Sequence, residues 1–325
     1  MKKLLLALLL LSLLLAACDI APESPAAPSA APTPALTPAP TPAPTPEPTP
    51  SPDVMLQGQA LPWDTGELTL DSAEGLAEAL PLLPKLRRVD LSAGQLDTEQ
   101  MELLSALRPE VDFVFTVRFG AWTVRSDITC FSTLQGDGSL RYTSEELYPL
   151  LRFCRHLRAL DLGHNDLTDI SLIGQMPQLQ VLILADNPHL TDISPLGELT
   201  ELRYIELFMC WDIEDFSCLY SLTKLQDLNM AYCRNLADVS FIDNMPDFRN
   251  GWFMRTGVTR EMLEPYREAR PEITFVYGYP PDISSVAYGW RATERNAAIR
   301  RAFTNWRNVT DWRSWDDVAY HTKTQ

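Results

Sequence analysis

The sequence predicts an α/β solenoid, with a curved parallel sheet on its concave face and short helices and turns on its convex face. The first observation is a phrase that occurs four times: Leu157-Arg-Ala-Leu-Asp-Leu162, Leu179-Gln-Val-Leu-Ile-Leu184, Leu202-Arg-Tyr-Ile-Glu-Leu207 and Leu225-Gln-Asp-Leu-Asn-Met230, at spacings of 22, 23 and 23 residues. The second is the residue three positions beyond each copy: Asn165, Asn187, Cys210 and Cys233. The third is a connector: Leu167-Thr-Asp-Ile-Ser-Leu172, Leu190-Thr-Asp-Ile-Ser-Pro-Leu196 and the looser Ile213-Glu-Asp-Phe-Ser-Cys-Leu219. A fixed period of this length marks units that cannot bury an apolar face alone and must stack.

Residues 1–17 stand apart from that stack. Lys2 and Lys3 precede an apolar stretch at 4–15, broken by Ser12, that ends in small residues before Cys18. It falls short of the roughly 20 residues a membrane-spanning helix needs, so it reads as a signal peptide. Leu15-Ala-Ala-Cys18 resembles the bacterial lipobox, which implies cleavage before Cys18 and lipidation of that residue. An ordinary secretory signal followed by a chance cysteine is the alternative. Several acyl chains on one residue would anchor it stably, at roughly 0.8 kcal/mol per buried methylene. Residues 18–53 comprise this cysteine and a linker, with 13 prolines between Pro22 and Pro52. Proline fixes φ and lacks an N–H, so the stretch builds neither sheet nor helix. As a polyproline II spacer it would reach on the order of 90 Å. That reach fits a domain held off the membrane, within or beyond a cell wall.

Residues 54–277 hold the solenoid. Strand alternation sends positions 4 and 6 of each copy into the core and positions 3, 5 and 7 onto the other face. Position 9 turns the chain and sits inside the coil, where an Asn amide both donates and accepts and a Cys bonds weakly. This is the leucine-rich-repeat pattern. Residues 157–247 also resemble the repeats of the internalins and related bacterial surface proteins, most clearly in Leu190-Thr-Asp-Ile-Ser-Pro-Leu-Gly-Glu-Leu-Thr-Glu-Leu202. That resemblance implies a concave, protein-binding sheet. Two departures limit it: the ladder Asn becomes Cys in two coils, and the chain ends His-Thr-Lys-Thr-Gln325 without a wall-sorting signal, so lipid is the expected anchor.

The flanking coils are degenerate. Leu86-Arg-Arg-Val-Asp-Leu91 carries Gly94 at the ladder position, and Phe248-Arg-Asn-Gly-Trp-Phe253 carries Thr256. Thr98–Phe115 and Thr259–Tyr277 echo each other, each with an Arg-Pro-Glu at its centre, and read as a helix, a proline stop and a buried strand. Segments 72–84 and 143–156 read as convex helices, giving about ten coils in all. Phe115–Ser132 reads as a strand pair interrupting the stack.

Residues 278–325 are rich in Trp and Arg. They carry Trp290, Trp306, Trp312 and Trp315, and Ala298, Ile299, Ala302, Phe303 and Trp306 share one helical stripe. The expected role is a cap over the open core of the last coil. The alternative is contact with anionic wall polymers or lipid headgroups, since six arginines lie between Arg291 and Arg313 against Glu294 and Asp311.

The formal net charge of −16, or −18 without Lys2 and Lys3, argues against nucleic acid and for solubility or cationic partners. Membrane contact is expected through the lipid alone. Cys210 and Cys233 fall one coil apart, on strands about 4.8 Å from each other, which a disulfide could bridge; buried ladder thiols are the other reading. His156, His164, His189 and His321 are scattered and no Cys-x-x-Cys occurs, so no metal or cofactor is expected. Gly-x-Ser-x-Gly, phosphate-loop and His-Glu-x-x-His motifs are missing too. Position 5 runs Asp161, Ile183, Glu206, Asn229, Trp252, with Asp90 in an earlier coil, so no adjacent carboxylate pair forms and solvated charge is the default. The pattern is that of a scaffold that binds, not an enzyme.

Positions 3, 5 and 7 spell out the concave surface. Its N-terminal part is small and charged, with Arg88, Asp90, Ala159, Asp161 and Gly163. The middle is aliphatic, with Val181 and Ile183, and the C-terminal part is aromatic, with Tyr204, Phe208, Trp252 and Met254, flanked at position 8 by Met209 and Tyr232. An aligned aromatic patch invites a cover, and Trp and Tyr dominate interface energetics. This patch is the candidate site for an unknown protein ligand (host, bacterial or matrix) or a glycan; the alternative is that the tail or the loops fold over it. The chain is therefore expected to be a lipid-anchored extracytoplasmic binding protein. The second expectation is an envelope protein, structural or glycan-contacting, that works through its Arg/Trp tail.

Overall fold

The computed structural model describes residues 53–119, 122–133, 140–279 and 289–305. The expected signal peptide, the Cys18 lipidation site, the linker to Pro52 and Trp306, Trp312 and Trp315 lie outside the described residues.

A hairpin of β1 (Val54–Leu56) and β2 (Gln59–Leu61) opens the fold, and Val54, Leu56 and Leu61 are buried. Its two turn residues, Gln57 and Gly58, have φ of +49° and +78°, the left-handed pair that a two-residue hairpin loop requires. A parallel sheet follows, built from β3 (Glu67–Thr69), β4 (Arg88–Asp90) and β5 (Asp112–Val114). Helix α1 (Leu76–Ala79) connects the first two strands and α2 (Thr98–Leu107) the last two. Asp97 and Gln100 cap the N-terminus of α2 with a capping box, each side chain accepting the other's backbone N–H.

The strand pair expected near Phe115–Ser132 is an antiparallel hairpin, β6 (Thr116–Phe119) with β7 (Trp122–Arg125). It separates the first sheet from the main one. That main sheet is parallel and seven-stranded: β8 (Cys130–Ser132), β9 (Ala159–Asp161), β10 (Val181–Ile183), β11 (Tyr204–Glu206), β12 (Asp227–Asn229), β13 (Asn250–Met254) and β14 (Thr274–Gly278), in chain order. Helix α3 (Ser144–Leu151) precedes β9, and α4 (Arg260–Ala269) joins β13 to β14. The register is that of the repeat, with Leu160, Leu182, Ile205, Leu228 and Gly251 side by side.

Between β9 and β13 each connector is a short 3-10 turn: Ile173–Gln175, Ser194–Glu198, Ser217–Ser221 and Ser240–Asn244. The recurring Asp-x-Ser explains how the chain enters them. The N–H groups of Ser171, Ser194, Ser217 and Ser240 donate to Oδ1 of Asp169, Asp192, Asp215 and Asp238 at 2.8–3.0 Å. Such carboxylate turns replace backbone pairing that a tight connector cannot supply.

Inside the coils the ladder is buried. Asn187 Nδ2 donates to the Leu162 and Leu184 carbonyls at 3.0 and 2.9 Å, and its Oδ1 accepts the Leu167 N–H at 3.0 Å. The Cys210 and Cys233 thiols point at the Leu184 and Leu207 carbonyls, at 3.2 and 3.3 Å. Both are free, as are Cys130, Cys154 and Cys218, and burial pushes Cys154, Cys210 and Cys218 up to about 12. The reading as buried ladder thiols holds, and the bridge between Cys210 and Cys233 does not form. One position earlier, His164, Asp186, Met209, Tyr232 and Arg255 all take left-handed φ values, between +57° and +71°. This conformation is costly for side chains other than glycine. It places each N–H against a carbonyl of the following coil, as in His164 to Ala185 at 2.7 Å and Tyr232 to Met254 at 2.8 Å.

Candidate binding face

Positions 3 and 5 line up across the sheet as expected: Ala159, Val181, Tyr204, Asp227 and Asn250 in one row, and Asp161, Ile183, Glu206, Asn229 and Trp252 in the next. The surface they form is not open. Helix α5 (Glu294–Asn305) and the helical turn at 289–291 lie against it. Val181, Ile183, Tyr204, Phe208, Trp252 and Met254 share one apolar cluster with Trp290, Ile299 and Phe303. Tyr204 and Val181 are fully buried and Trp252 is 6% exposed. Met209 and Tyr232 remain half-buried at the rim, with the Tyr232 and Phe208 rings edge to face at 5.7 Å.

The open patch expected first is corrected in favour of the named alternative, since the tail covers it, and the described part of the tail packs on the concave face instead of over the last coil. The physical reason is the apolar stripe of the tail. Ile299 and Phe303 need an apolar floor, and the aliphatic and aromatic middle of the sheet offers one.

The helix runs across the strands. The position of Gly289 would put a Cβ 2.5 Å from the Trp252 ring on β13, so only glycine allows this approach. The Trp290 ring sits 5.5 Å from that of Trp252 and 5.6 Å from that of Tyr204. Arg295 meets β12, with Nε 3.7 Å from Asp227 Oδ2 and Nη2 donating to Gln226 Oε1 at 3.2 Å. The far end of α5 reaches β8. The 12 residues of α5 rise about 18 Å, close to four strand spacings of about 4.8 Å.

Polar groups fix the register within this seam. Tyr204 Oη accepts from Trp290 Nε1 at 2.9 Å and from Asn296 Nδ2 at 2.6 Å, and donates to Glu206 Oε2 at 3.2 Å. Its single donor and two lone pairs are all used. Arg300 Nε donates to Asn296 Oδ1 at 3.0 Å. Burial raises the Glu206 carboxyl above its ordinary value, although the charge of Arg300 opposes the shift. Burial likewise raises Asp161, against bonds from the Gly163 N–H and the Ser132 hydroxyl at 3.0 Å each and the charge of Arg300. The expected solvated carboxylates at position 5 of these two coils are therefore buried ones.

The sequence reading missed Arg295, Asn296 and Arg300 as partners of the face. Their signal was present, since they interleave with the apolar stripe of the tail, but a stripe does not say which surface it meets. The N-terminal part of the face is charged, as expected, and internally paired. Arg88 contacts Asp112 and, at 2.6 Å, Asp127, while Arg125 bridges Asp90 and Asp127 at 2.9 Å each. His156 Nε2 lies 2.7 Å from Asp112 Oδ1. Among the described residues no group of three or more His, Cys, Asp or Glu is placed to hold a metal ion, and no helix is long and apolar enough to cross a membrane.

Coils of 22 and 23 residues, a parallel concave sheet and a buried position-9 ladder define a leucine-rich-repeat solenoid, a class whose extended concave surfaces serve binding. The family model described as leucine rich repeats (2 copies) matches residues 155–198. Among solved structures, the chain is similar to internalin C2 of Listeria monocytogenes, at 19% identity over 67% of this chain and 78% of that one, with a TM-score of 0.32. It is similar to an internalin F of the same organism at 21% identity, covering 64% and 66% of the two chains with a TM-score of 0.33. A leucine-rich-repeat protein of Leptospira interrogans shares 15% identity over 61% of this chain and 56% of its own, with a TM-score of 0.32. No curated protein matches the chain in sequence.

Proposed function

We propose that this chain is a lipid-anchored, extracytoplasmic binding protein that takes a protein partner on its concave face. The observation that carries the reading is that this face already buries a helix through Tyr204, Trp252 and Glu206, side chains that stand outside the leucine core. Leu15-Ala-Ala-Cys18 and the proline-rich linker support the anchor. A photo-crosslinking amino acid at Tyr232, on the rim, should join the chain to a second protein on intact cells, while the same group at Tyr220, an exposed convex residue, should not. Adducts from both positions alike, or from neither, would overturn the choice of face. Metabolic labelling with palmitate, abolished by Cys18→Ala, tests the anchor. The reading in which the tail arginines grip wall polymers has less support, because Arg295 and Arg300 turn toward carboxylates of the sheet.

A further inference from the structure

We propose that the concave face is a receptor for basic amphipathic helices, and that α5 is its resident occupant, which a partner helix of the same chemistry displaces. This rests on the reading of the concave face as the binding site, and it specifies the partner.

The face is built to select such a helix. Its floor holds three buried carboxylates, Asp161, Glu206 and Asp227. Cations that answer them, Arg295 and Arg300, come from the helix. At one end Tyr204 and Trp252 frame a slot for an indole, and the Tyr204 hydroxyl takes both the indole N–H and a side-chain amide one and a half turns further on. The ligand pattern is thus Trp, then Arg and Asn at the fifth and sixth positions after it, then Ile at the ninth, Arg at the tenth and Phe at the thirteenth. A chain of net charge −16 also draws cationic segments at long range.

The same seam is poorly suited to be permanent. Solenoid coils meet mainly through leucine and isoleucine, whereas α5 adds a buried ion pair and amides to its apolar contacts with the sheet. Such a pair returns little more than its desolvation costs, yet enforces register. The buried Trp252 indole N–H finds no acceptor among the described residues, so a ligand supplying one would gain what α5 forgoes. Covalent attachment holds α5 at an effective concentration in the millimolar range. A partner must therefore out-bind it, or arrive when it is loosened.

The test titrates a fluorescent peptide of residues 289–305 into the full chain. Ala297→Pro removes the N–H that donates to the Thr293 carbonyl at 3.0 Å and breaks α5. This variant is expected to bind the peptide saturably, about tenfold or more tighter than the wild type, whose face is occupied. Peptides carrying Trp290→Ala or Arg295→Ala should bind it about tenfold more weakly, as expected for loss of a buried anchor. Equal binding to wild type and variant, no binding to a variant with native circular dichroism, or equal binding of all peptides would overturn the proposal. If Ala297→Pro misfolds, Gly289→Val serves instead, since its side chain collides with the Trp252 ring. In the wild type, native-state hydrogen exchange should open α5 before β10–β12; equal protection of the two also counts against it. A peptide that binds as expected, with no protein crosslinked at Tyr232, would remove the function proposed above and leave this receptor chemistry standing.

Discussion

Asn187 shows how one side chain serves two coils. Its amide bonds the Leu162 and Leu184 carbonyls and accepts the Leu167 N–H, all away from water. Replacing it with Ala strands those groups, so Asn187→Ala should cost about 1–3 kcal/mol in urea unfolding. Cys210→Ala at the equivalent place should cost less, because a thiol is a weak donor; an equal loss would contradict the ladder account. Gly251 makes a different point. It occupies position 4, where β9 to β12 carry Leu or Ile, and a Cβ there would lie 2.5 Å from the Phe253 ring and 3.1 Å from that of Phe275. The two phenylalanines fill the space a leucine would take. Gly251→Ala should therefore destabilise by about 1–3 kcal/mol through overpacking, despite adding apolar volume.

At the level of elements, the ionic joint between the two parallel sheets should respond to pH. Burial works against ionised Asp90, Asp112 and Asp127, but bonds and charges from Ser92, His156, Arg125 and Arg88 outweigh it and hold all three below their ordinary value. Their contribution is complete above about pH 4, the unfolded carboxylate value, and drains away as pH falls through the lower folded values. His156 is raised, mainly by its bond to Asp112. Its contribution is complete below about pH 6.5 and is lost as pH rises through the higher folded value. The joint should be tightest between these limits. Urea midpoints across the pH range will check this, and Asp127→Asn should flatten the acid limb. The connecting elements were legible because their signals are local: Asp-x-Ser opens each 3-10 turn, and Asp97 with Gln100 starts α2. The docking of α5 was legible only as one of two alternatives. Period 3.6 announces that Ile299 and Phe303 are buried, whereas the surface they choose depends on residues more than a hundred positions away, such as Val181 and Ile183.

Across the whole molecule, the hairpin β6–β7 divides the sheet but not the core. One continuous apolar cluster runs from Val54 to Ile273 and includes Leu182 at the centre of β10. Leu182→Ala should cost about 2–5 kcal/mol and lower the unfolding midpoint seen by probes in both sheets together. Separate transitions would show that the hairpin is a true boundary. The stack itself was readable from the spacing of its leucines, because each coil touches only its neighbours and so its pattern repeats. The state of the concave face was not, since exposure there depends on a segment that belongs to no repeat. The five free cysteines carry one further consequence. Every contact that shapes the described solenoid is noncovalent, so its maturation consumes no oxidant and needs no thiol-oxidising catalyst. The native state of the described solenoid thus needs no disulfide, and burial, not pairing, is what shields its thiols from oxidants.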